Sequence, residues 1–239
     1  MNKPLAELVK ISKVVGKDDS LVLGKFGNTS MKTADGRYMY IKASGTALKD
    51  MSERLGWRRL KVEPVLTILK DKSIAVMSSD KREKKVTDAL LFACDDDARP
   101  DIKPSIESCF HSLLDRCVIH LHPAAVLAYV CAKNGQAELK KLFKDEKFPP
   151  MWVPYVGLGY MLAKKIEKLA ANYKKKRGRG PAVMFLQNHG LLVTAKSPNT
   201  ALRLVRKVVN TCDSNLRRRQ KTKPAPRVFR RKAEQRDGI

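Results

Sequence analysis

The chain has 239 residues, of which 43% are hydrophobic, so it can form one globular domain without disulfides or structural metals. Its 49 Lys and Arg against 24 Asp and Glu give a formal net charge of +25, which attracts phosphorylated metabolites, nucleic acid or acidic membrane surfaces. No apolar run approaches the roughly 18 residues of a membrane span, and the five cysteines lack a CxxC spacing, so we expect a cytosolic protein with no leader segment.

Apolar spacing and turn residues divide the chain into alternating helices and strands. Helices are predicted over 2–15, 106–115, 123–132, 158–173 and from Pro198 onward. Strands are predicted over 21–32 (broken by a Gly-rich turn), 38–45, 62–69, 73–78, 117–122, 151–156, 182–186 and 191–195. The mixed order of helices and strands predicts an α/β fold with a central sheet.

Two basic segments lie outside these elements. Residues 174–180 (KKKRGRG) are predicted to be a loop. Residues 216–239 hold ten Lys and Arg against two acids, so the rest of the chain keeps a net charge of +17. Because this end has few apolar side chains to bury, we divide the chain into a domain over 1–216 and a mobile basic tail over 217–239.

The four histidines include a pattern that is typical of metal sites. His120 and His122 lie two apart on a predicted strand, so both side chains face the same side of the sheet. A third nitrogen must come from His189, in the turn QNHG, or from His111. Three nitrogens and an open position suit a catalytic Zn²⁺. A single histidine in a strand is more often a packed side chain, and the pair alone leaves both interpretations open.

Glu107 and His111 are four residues apart in the helix that precedes the histidine strand, so they share a face. A carboxylate beside a metal can ligate it and can carry protons when substrate binds. Glu107 is therefore the candidate acid/base, although a carboxylate in a first helical turn can simply favour the helix dipole. We expect His111 to be a hydrogen-bonded group behind the site or in the core.

Two turns that follow predicted strands carry small and hydroxyl side chains, GNTS (27–30) and KASG (42–45). Such turns expose backbone N–H groups that can cradle a phosphate. Ser105 is predicted to cap the Glu107 helix, where a phosphate would meet the helix N-terminus. Each turn alone most often serves only as a turn. Their recurrence ahead of the histidines favours a phosphorylated ligand.

Read in order, five segments resemble the class II aldolase/adducin family: GNTS (27–30), KASG (42–45), PSIE…H (104–111), HLHP (120–123) and QNHGLLV (187–193). That family includes fuculose-phosphate and rhamnulose-phosphate aldolases, ribulose-phosphate epimerases and methylthioribulose-phosphate dehydratase. The resemblance covers about residues 5–216. The segments 21–32 and 153–166 look most like the aldolase part of the bifunctional rhamnulose-phosphate aldolase/dehydrogenase proteins.

The resemblance implies an α/β/α sandwich around a mainly antiparallel sheet, assembled as a homotetramer with active sites between subunits. It implies one Zn²⁺ or another divalent ion per chain, bound by His120, His122 and His189, with Glu107 as acid/base. The residues implied around the substrate phosphate are Gly27, Asn28, Ser44, Gly45 and Ser105. The implied activity is that of a cytoplasmic aldehyde-lyase, which cleaves a phosphorylated ketose to dihydroxyacetone phosphate and an aldehyde.

The sequence also departs from the family pattern. Fuculose-type enzymes carry two serines before the catalytic Glu, and here Ile106 replaces the second. Those enzymes use a tyrosine from a loop after the HxH strand, whereas residues 131–150 contain none. Tyr155 and Tyr160 follow in the next segment, and the pattern selects neither of them.

Three alternatives stay open at this point. Epimerisation or dehydration of a similar sugar phosphate would use the same groups. A non-catalytic, adducin-like binding module would keep the fold, although the complete set of histidines and Glu107 disfavours it. The basic tail could make non-specific contacts with polyanions, but only 6% of residues are aromatic and no nucleic-acid motif is present.

Overall fold

The computed structural model describes residues 3–96 and 102–222, with side chains as far as residue 220. The helices are α1 (Lys3–Gly16), α2 (Val62–Lys70), α3 (Lys72–Ala75), α4 (Ser79–Phe92), α5 (Ser108–Leu113), α6 (Ala124–Val130), α7 (Gly135–Leu142), α8 (Tyr160–Arg177) and α9 (Pro198–Thr222), with a short 3₁₀ helix at Leu48–Asp50. The strands are β1 (Asn28–Lys32), β2 (Tyr38–Lys42), β3 (Trp57–Lys61), β4 (Cys117–Leu121), β5 (Met151–Val153), β6 (Val183–Leu186) and β7 (Gly190–Ala195).

In the described part of the chain these strands form one seven-stranded sheet, in the order β3-β2-β1-β4-β7-β6-β5. Every neighbouring pair is antiparallel except β5 and β6. The expected central, mainly antiparallel sheet is thus confirmed. The histidine strand β4 lies in the middle, between β1 and β7.

Helices cover both faces of the sheet and enclose two apolar layers. One layer includes Leu8 of α1, Val126 of α6 and Val205 of α9. The other includes Val65 of α2, Val86 of α4, Phe110 of α5 and Ile166 of α8. Because the sheet is covered on both sides, its central strands are buried along their whole length. The fold is the expected α/β/α sandwich.

The expectation of strands at 62–69 and 73–78 was wrong, because 62–69 lies in α2 and 73–78 comprises the end of α3 and the turn that follows it. In α2 the buried side chains are Val62, Val65, Ile68 and Leu69. This spacing of three and four places them on one helical face, against α5 and α8 of the second layer. A short apolar run does not by itself separate a strand from a helix, and here packing against neighbouring helices decides the outcome.

Several boundaries also differ from the sequence predictions. Only 28–32 of the predicted strand 21–32 is strand, and the stretch 131–150 contains helix α7. Ser105 does not cap a helix, because α5 begins at Ser108 and the residue at its N-cap is Glu107. The basic segment 174–180 is helical as far as Arg177.

The last helix extends beyond the expected end of the domain at 216. Helix α9 continues to Thr222, so the first residues of the predicted mobile tail are helical. Arg219 in this stretch pairs with Glu138 of α7. Residues 223–239 of the predicted tail lie outside the described residues. Among residues 3–96 and 102–222, no helix combines the length and the apolar character needed to cross a membrane.

Candidate active site

Three imidazoles meet at one end of the central strands. The ligand-type nitrogens of His120, His122 and His189 all lie within 4.8 Å of one another. The Nε2 atoms of His120 and His189 are 3.1 Å apart, and the rings of His122 and His189 are stacked, with centroids 5.1 Å apart. The structure therefore brings together the three histidines that the sequence proposed as ligands, at a separation that one ion could bridge.

The register of the sheet sets this arrangement. His120 pairs with Leu192 across β4 and β7, and His122 is the first residue after β4, on the same side as His120. His189 lies in the turn between β6 and β7. That turn bends at Asn188, which has a φ of 55° and donates its N–H to the Val130 carbonyl at 3.0 Å.

Gly190 permits the close approach of this turn to β4. A Cβ at Gly190 would lie 2.5 Å from the Leu121 carbonyl oxygen and 2.6 Å from Cδ2 of His122. Real side chains do not tolerate such contacts, so any larger residue would displace the His122 ring. The glycine of the QNHG motif is thus required by its contact with a candidate ligand.

All three imidazoles are held in their neutral form. Burial lowers the pKa of His120 to about 4 and that of His122 to about 3, where the charges of His120 and His189 contribute further. The pKa of His189 is lowered to about 4, again mainly by burial. Nδ1 of His120 donates to the Leu191 carbonyl at 3.0 Å, which leaves Nε2 as an acceptor that faces His189. Neutral imidazoles with oriented lone pairs are the form that binds a metal.

Glu107 lies against these histidines. Its Oε2 is 3.6 Å from His120 Nε2, and its Oε1 is 3.5 Å from His189 Nε2. Burial raises the pKa of the Glu107 carboxyl, while His189, Asn28 and Lys42 act in the opposite direction. A carboxyl with a raised pKa can hold and release a proton closer to neutral pH. Its position also lets it reach an ion held by the histidines.

Behind Glu107 lies a buried set of polar side chains. Asn28 donates from Nδ2 to Glu107 Oε2 and to Ser105 Oγ, the latter at 3.3 Å. Its Oδ1 contacts Nε2 of His111, and His111 Nδ1 lies 2.7 Å from Ser30 Oγ. His111 is fully buried, and its pKa is lowered well below the ordinary value by burial and by the charges of His120 and Lys32. His111 is thus a hydrogen-bonded group behind the site, as the sequence suggested.

A cavity of about 540 Å³ opens in front of Glu107 and His122. Its lining includes all the residues that the resemblance assigned to the substrate phosphate, namely Gly27, Asn28, Ser44, Gly45 and Ser105. Its volume is typical of small-molecule sites. The NH₂ group of Asn28 donates its hydrogen bonds to Glu107 and Ser105, so this side chain contacts the acid/base candidate directly.

Sequence reasoning missed three lysines of this cavity, Lys25, Lys42 and Lys103. Lys42 is 4% exposed, and its Nζ donates to the carbonyls of Ala43 and Thr46 at 3.2 and 2.8 Å. Burial lowers its pKa to about 8, and the nearby Glu107 charge opposes that shift. The available signal was Lys42 itself, a cation at the end of the otherwise apolar strand YMYIK and at the start of the KASG motif.

The two tyrosines that the sequence left undecided lie in different surroundings. Tyr160 is buried and donates its hydroxyl to the Asp71 carbonyl at 3.1 Å. Tyr155 is 61% exposed and lines a small pocket together with His189 and Leu158. Of these two, only Tyr155 lies beside a candidate metal ligand.

The fold and the site together define an α/β/α sandwich protein with a three-histidine centre and an adjoining carboxylate. The sequence matches the family model described as class II aldolase and adducin N-terminal domain over residues 6–216. The chain therefore belongs to the class II aldolase and adducin family, which confirms the family suggested by the motifs.

Relatives and solved structures agree with this assignment. The chain is 28% identical over 206 residues to the "uncharacterized oxidoreductase YuxG" of Bacillus subtilis, and the match spans 83% of this chain but only 27% of that protein. The N-terminal class II aldolase domain of a Thermoplasma acidophilum protein superposes with a TM-score of 0.72 at 24% identity, covering 90% and 95% of the two chains. The L-fuculose-1-phosphate aldolase of Thermus thermophilus gives 0.57 at 15% identity, over 94% and 100%. These structural similarities establish the fold.

Proposed function

We propose that this chain is a divalent-metal-dependent aldehyde-lyase, which cleaves a phosphorylated ketose to dihydroxyacetone phosphate and an aldehyde. One observation carries the proposal. A cluster of three neutral imidazoles lies beside a buried carboxyl with a raised pKa, and His122 and Glu107 of this group line a cavity whose remaining lining can bind an anion. The family membership supports the same reaction class.

The anion side of the cavity would bind the substrate phosphate. Gly27, Ser44 and Gly45 lie in the two turns, Ser105 adds a hydroxyl, and Lys42 lies beside them. Backbone N–H groups in such turns, together with a cation, are suited to a phosphate dianion. The reacting carbons of the sugar would then lie between these groups and the histidines.

The proposed cleavage assigns the proton transfer to Glu107. As the carbon–carbon bond breaks, its electron pair passes to the three-carbon fragment. The hydroxyl on the other carbon gives its proton to solvent water, and that carbon becomes the aldehyde carbonyl. Glu107, with its raised pKa, delivers a proton to the carbon of the phosphorylated fragment. An ion bound by the histidines supplies Lewis acidity that stabilises negative charge developing on substrate oxygens.

The finer assignments form part of this proposal. A set of three nitrogen donors favours Zn²⁺, one per chain. A cytoplasmic homotetramer with active sites between subunits would follow the family pattern. Phe26 and Leu158, which line the mouth of the cavity, are 70% and 63% exposed, and a neighbouring subunit would bury such apolar side chains.

A substrate screen on the full chain tests the proposal. The purified protein would be stripped with a chelator, reconstituted with Zn²⁺, and incubated with a panel of ketopentose and ketohexose 1-phosphates. Dihydroxyacetone phosphate would be measured by coupled reduction, and NMR of the mixtures would detect epimers or dehydrated products. Metal-dependent release of dihydroxyacetone phosphate supports the lyase. If only epimers or dehydration products form, the site instead catalyses the related isomerase or dehydratase reaction. Metal binding without any turnover would favour a binding module.

A further inference from the structure

The polar side chains behind Glu107 form a continuous buried chain from Ser30 through His111 and Asn28 to the carboxylate. Ser30 and His111 are fully buried, and Asn28 and Glu107 are 5% and 8% exposed. Each of the four side chains is hydrogen-bonded to the next one in this series. Because bulk water does not compete for these buried hydrogen bonds, the side chains themselves determine which atom donates and which accepts in each bond.

The contacts of Asn28 set this direction. Its NH₂ group donates to Glu107 Oε2 and to Ser105, so its carbonyl oxygen is the atom that faces Nε2 of His111. An amide oxygen only accepts, so His111 carries its proton on Nε2. Nδ1 becomes an acceptor, and the Ser30 hydroxyl donates to it across 2.7 Å. The reverse tautomer would leave the Ser30 proton without a partner among the described residues, so one assignment satisfies all four groups.

We propose that His111 is a positioning residue, which acts through Asn28 to hold Oε2 of Glu107 in place. This inference deepens the proposed function and rests on it. With Oε2 held by Asn28, the oxygen Oε1, which lies 3.5 Å from His189 Nε2, is the one left to carry the proton. His111 itself does not touch the cavity, so its effect on the reaction passes entirely through the orientation of the carboxylate.

A positioning role predicts a specific ranking of variants. Gln in place of His111 can keep an N–H donor near the position of Nε2, whereas Leu cannot. We expect His111→Leu to lower kcat by roughly 10- to 100-fold, the usual effect of removing a group that orients a metal ligand or catalytic side chain. The KM should stay nearly unchanged, and His111→Gln should recover a large part of the kcat. Equal losses in the two variants, or a loss confined to KM, would overturn the proposal.

The tautomer of His111 is measurable without any turnover, which separates this inference from the proposed lyase activity. Long-range ¹H–¹⁵N correlation spectra of the metal-free protein, labelled at histidine, should show His111 as a neutral ring protonated at Nε2. Ser30→Ala should leave the proton on Nε2, because Asn28 still accepts from it, but it should shift the ¹⁵N resonance of Nδ1, which loses its hydrogen-bond donor. Ser112→Ala is the matched control, since it removes a buried hydroxyl of the helix that carries His111, one that donates to the Cys109 carbonyl, and it should leave the Nδ1 resonance unchanged.

These spectra decide the matter even where a His111 variant does not fold. An Nδ1–H ring or an imidazolium in the wild-type protein refutes the chain of hydrogen bonds, and so does a Ser30→Ala spectrum identical to the wild type. If the protein shows the Nε2–H form yet cleaves no sugar phosphate, the positioning of Glu107 stands and the assigned reaction fails.

Discussion

Asn28 lies directly opposite His120 in the antiparallel pair of β1 and β4. This register brings the turn before β1 against the histidine strand, and a Cβ on Gly27 would lie 2.7 Å from the His120 carbonyl oxygen. Gly27 also has a φ of +83°, a backbone angle that residues other than glycine rarely adopt. The turn that contributes Gly27 and Asn28 to the cavity lining and the strand that carries His120 are therefore direct neighbours.

The first prediction concerns the metal. The wild-type protein reconstituted with Zn²⁺ should hold about one ion per chain, as one three-nitrogen site allows. Replacing His120 and His122 together by Ala should abolish this binding, because a single imidazole remains. Elemental analysis after gel filtration gives the stoichiometry, with Ser112→Ala as a variant outside the site. Equal zinc content in the double variant would show that the ion is held elsewhere.

The second prediction concerns the acid/base. Glu107→Gln keeps the shape of the side chain but removes the carboxyl group that can accept and donate a proton, so turnover should fall by roughly 10²–10⁴-fold. Glu83→Gln is the matched control, because Glu83 also lines the cavity but is exposed. Circular dichroism checks that both variants fold. Turnover near the wild-type level in Glu107→Gln would leave Glu107 as a structural residue.

The third prediction concerns Gly190. The methyl group of Gly190→Ala would collide with the Leu121 carbonyl and with the ring of His122. We expect a loss of about 1–3 kcal/mol in the free energy of unfolding, as for other overpacked sites, together with weaker zinc binding. Gly180→Ala meets nothing within 4 Å and should change neither quantity. Urea titration and zinc competition measure the two effects, and tight zinc binding in Gly190→Ala would contradict the proposed contact.

The fourth prediction concerns alkaline pH. Burial lowers the pKa of Lys32 from 10.5 to about 8, with the charges of Asp115 and Cys117 opposing the shift. Between these two values the unfolded chain binds more protons than the folded one, so the free energy of unfolding should rise with pH over that window. The cost of burying the cation is fully present below pH 8 and absent above 10.5. It amounts to at most about 3 kcal/mol.

Lys32→Met should remove this contribution to the slope. Urea titrations at several pH values would compare it with Lys13→Met, which changes an exposed lysine. A slope for Lys32→Met as steep as that for the wild type would show that Lys32 titrates as it does in the unfolded chain.

The fifth prediction concerns the carboxyl end. Residues 223–239 contain six Lys and Arg, two acids and few apolar side chains, so their removal should leave the melting temperature and the turnover unchanged. Binding to DNA should become less salt-dependent, because fewer cations displace counterions. A second deletion, from residue 217, also removes the contact of Arg219 with Glu138 and should lower the melting temperature. Loss of turnover after deletion of residues 223–239 alone would place tail residues in the active site.

The sequence predicted the parts of the site that depend on local geometry. His120 and His122 share a face because strand side chains alternate, and that rule needs no knowledge of the fold. The helix α2 was mistaken for a strand because the segment is short, although Val62, Val65 and Ile68 already recur at a helical spacing in the sequence.

The contacts of Asn28 with Glu107 and His111 could not be predicted in the same way. The residues lie 79 and 83 positions apart, and only the pairing of β1 with β4 brings them together. Lys42 shows the opposite case, since its cation could be read from the strand sequence but its burial could not. Local patterns thus pointed to the candidate ligands, whereas the fold was needed to find the groups that contact them.

The position of the histidines at the end of the central strands has a consequence for the local opening of the protein. β4 and β7 are buried along their whole length between two helical layers, so their amide protons should exchange with solvent only when the whole domain opens. The nitrogens of His120 and His189 are held by these two strands and by the turn that joins β6 to β7. If the histidines bind an ion as proposed, that ion would meet donors that are already ordered, and its binding would cost almost nothing in loop entropy.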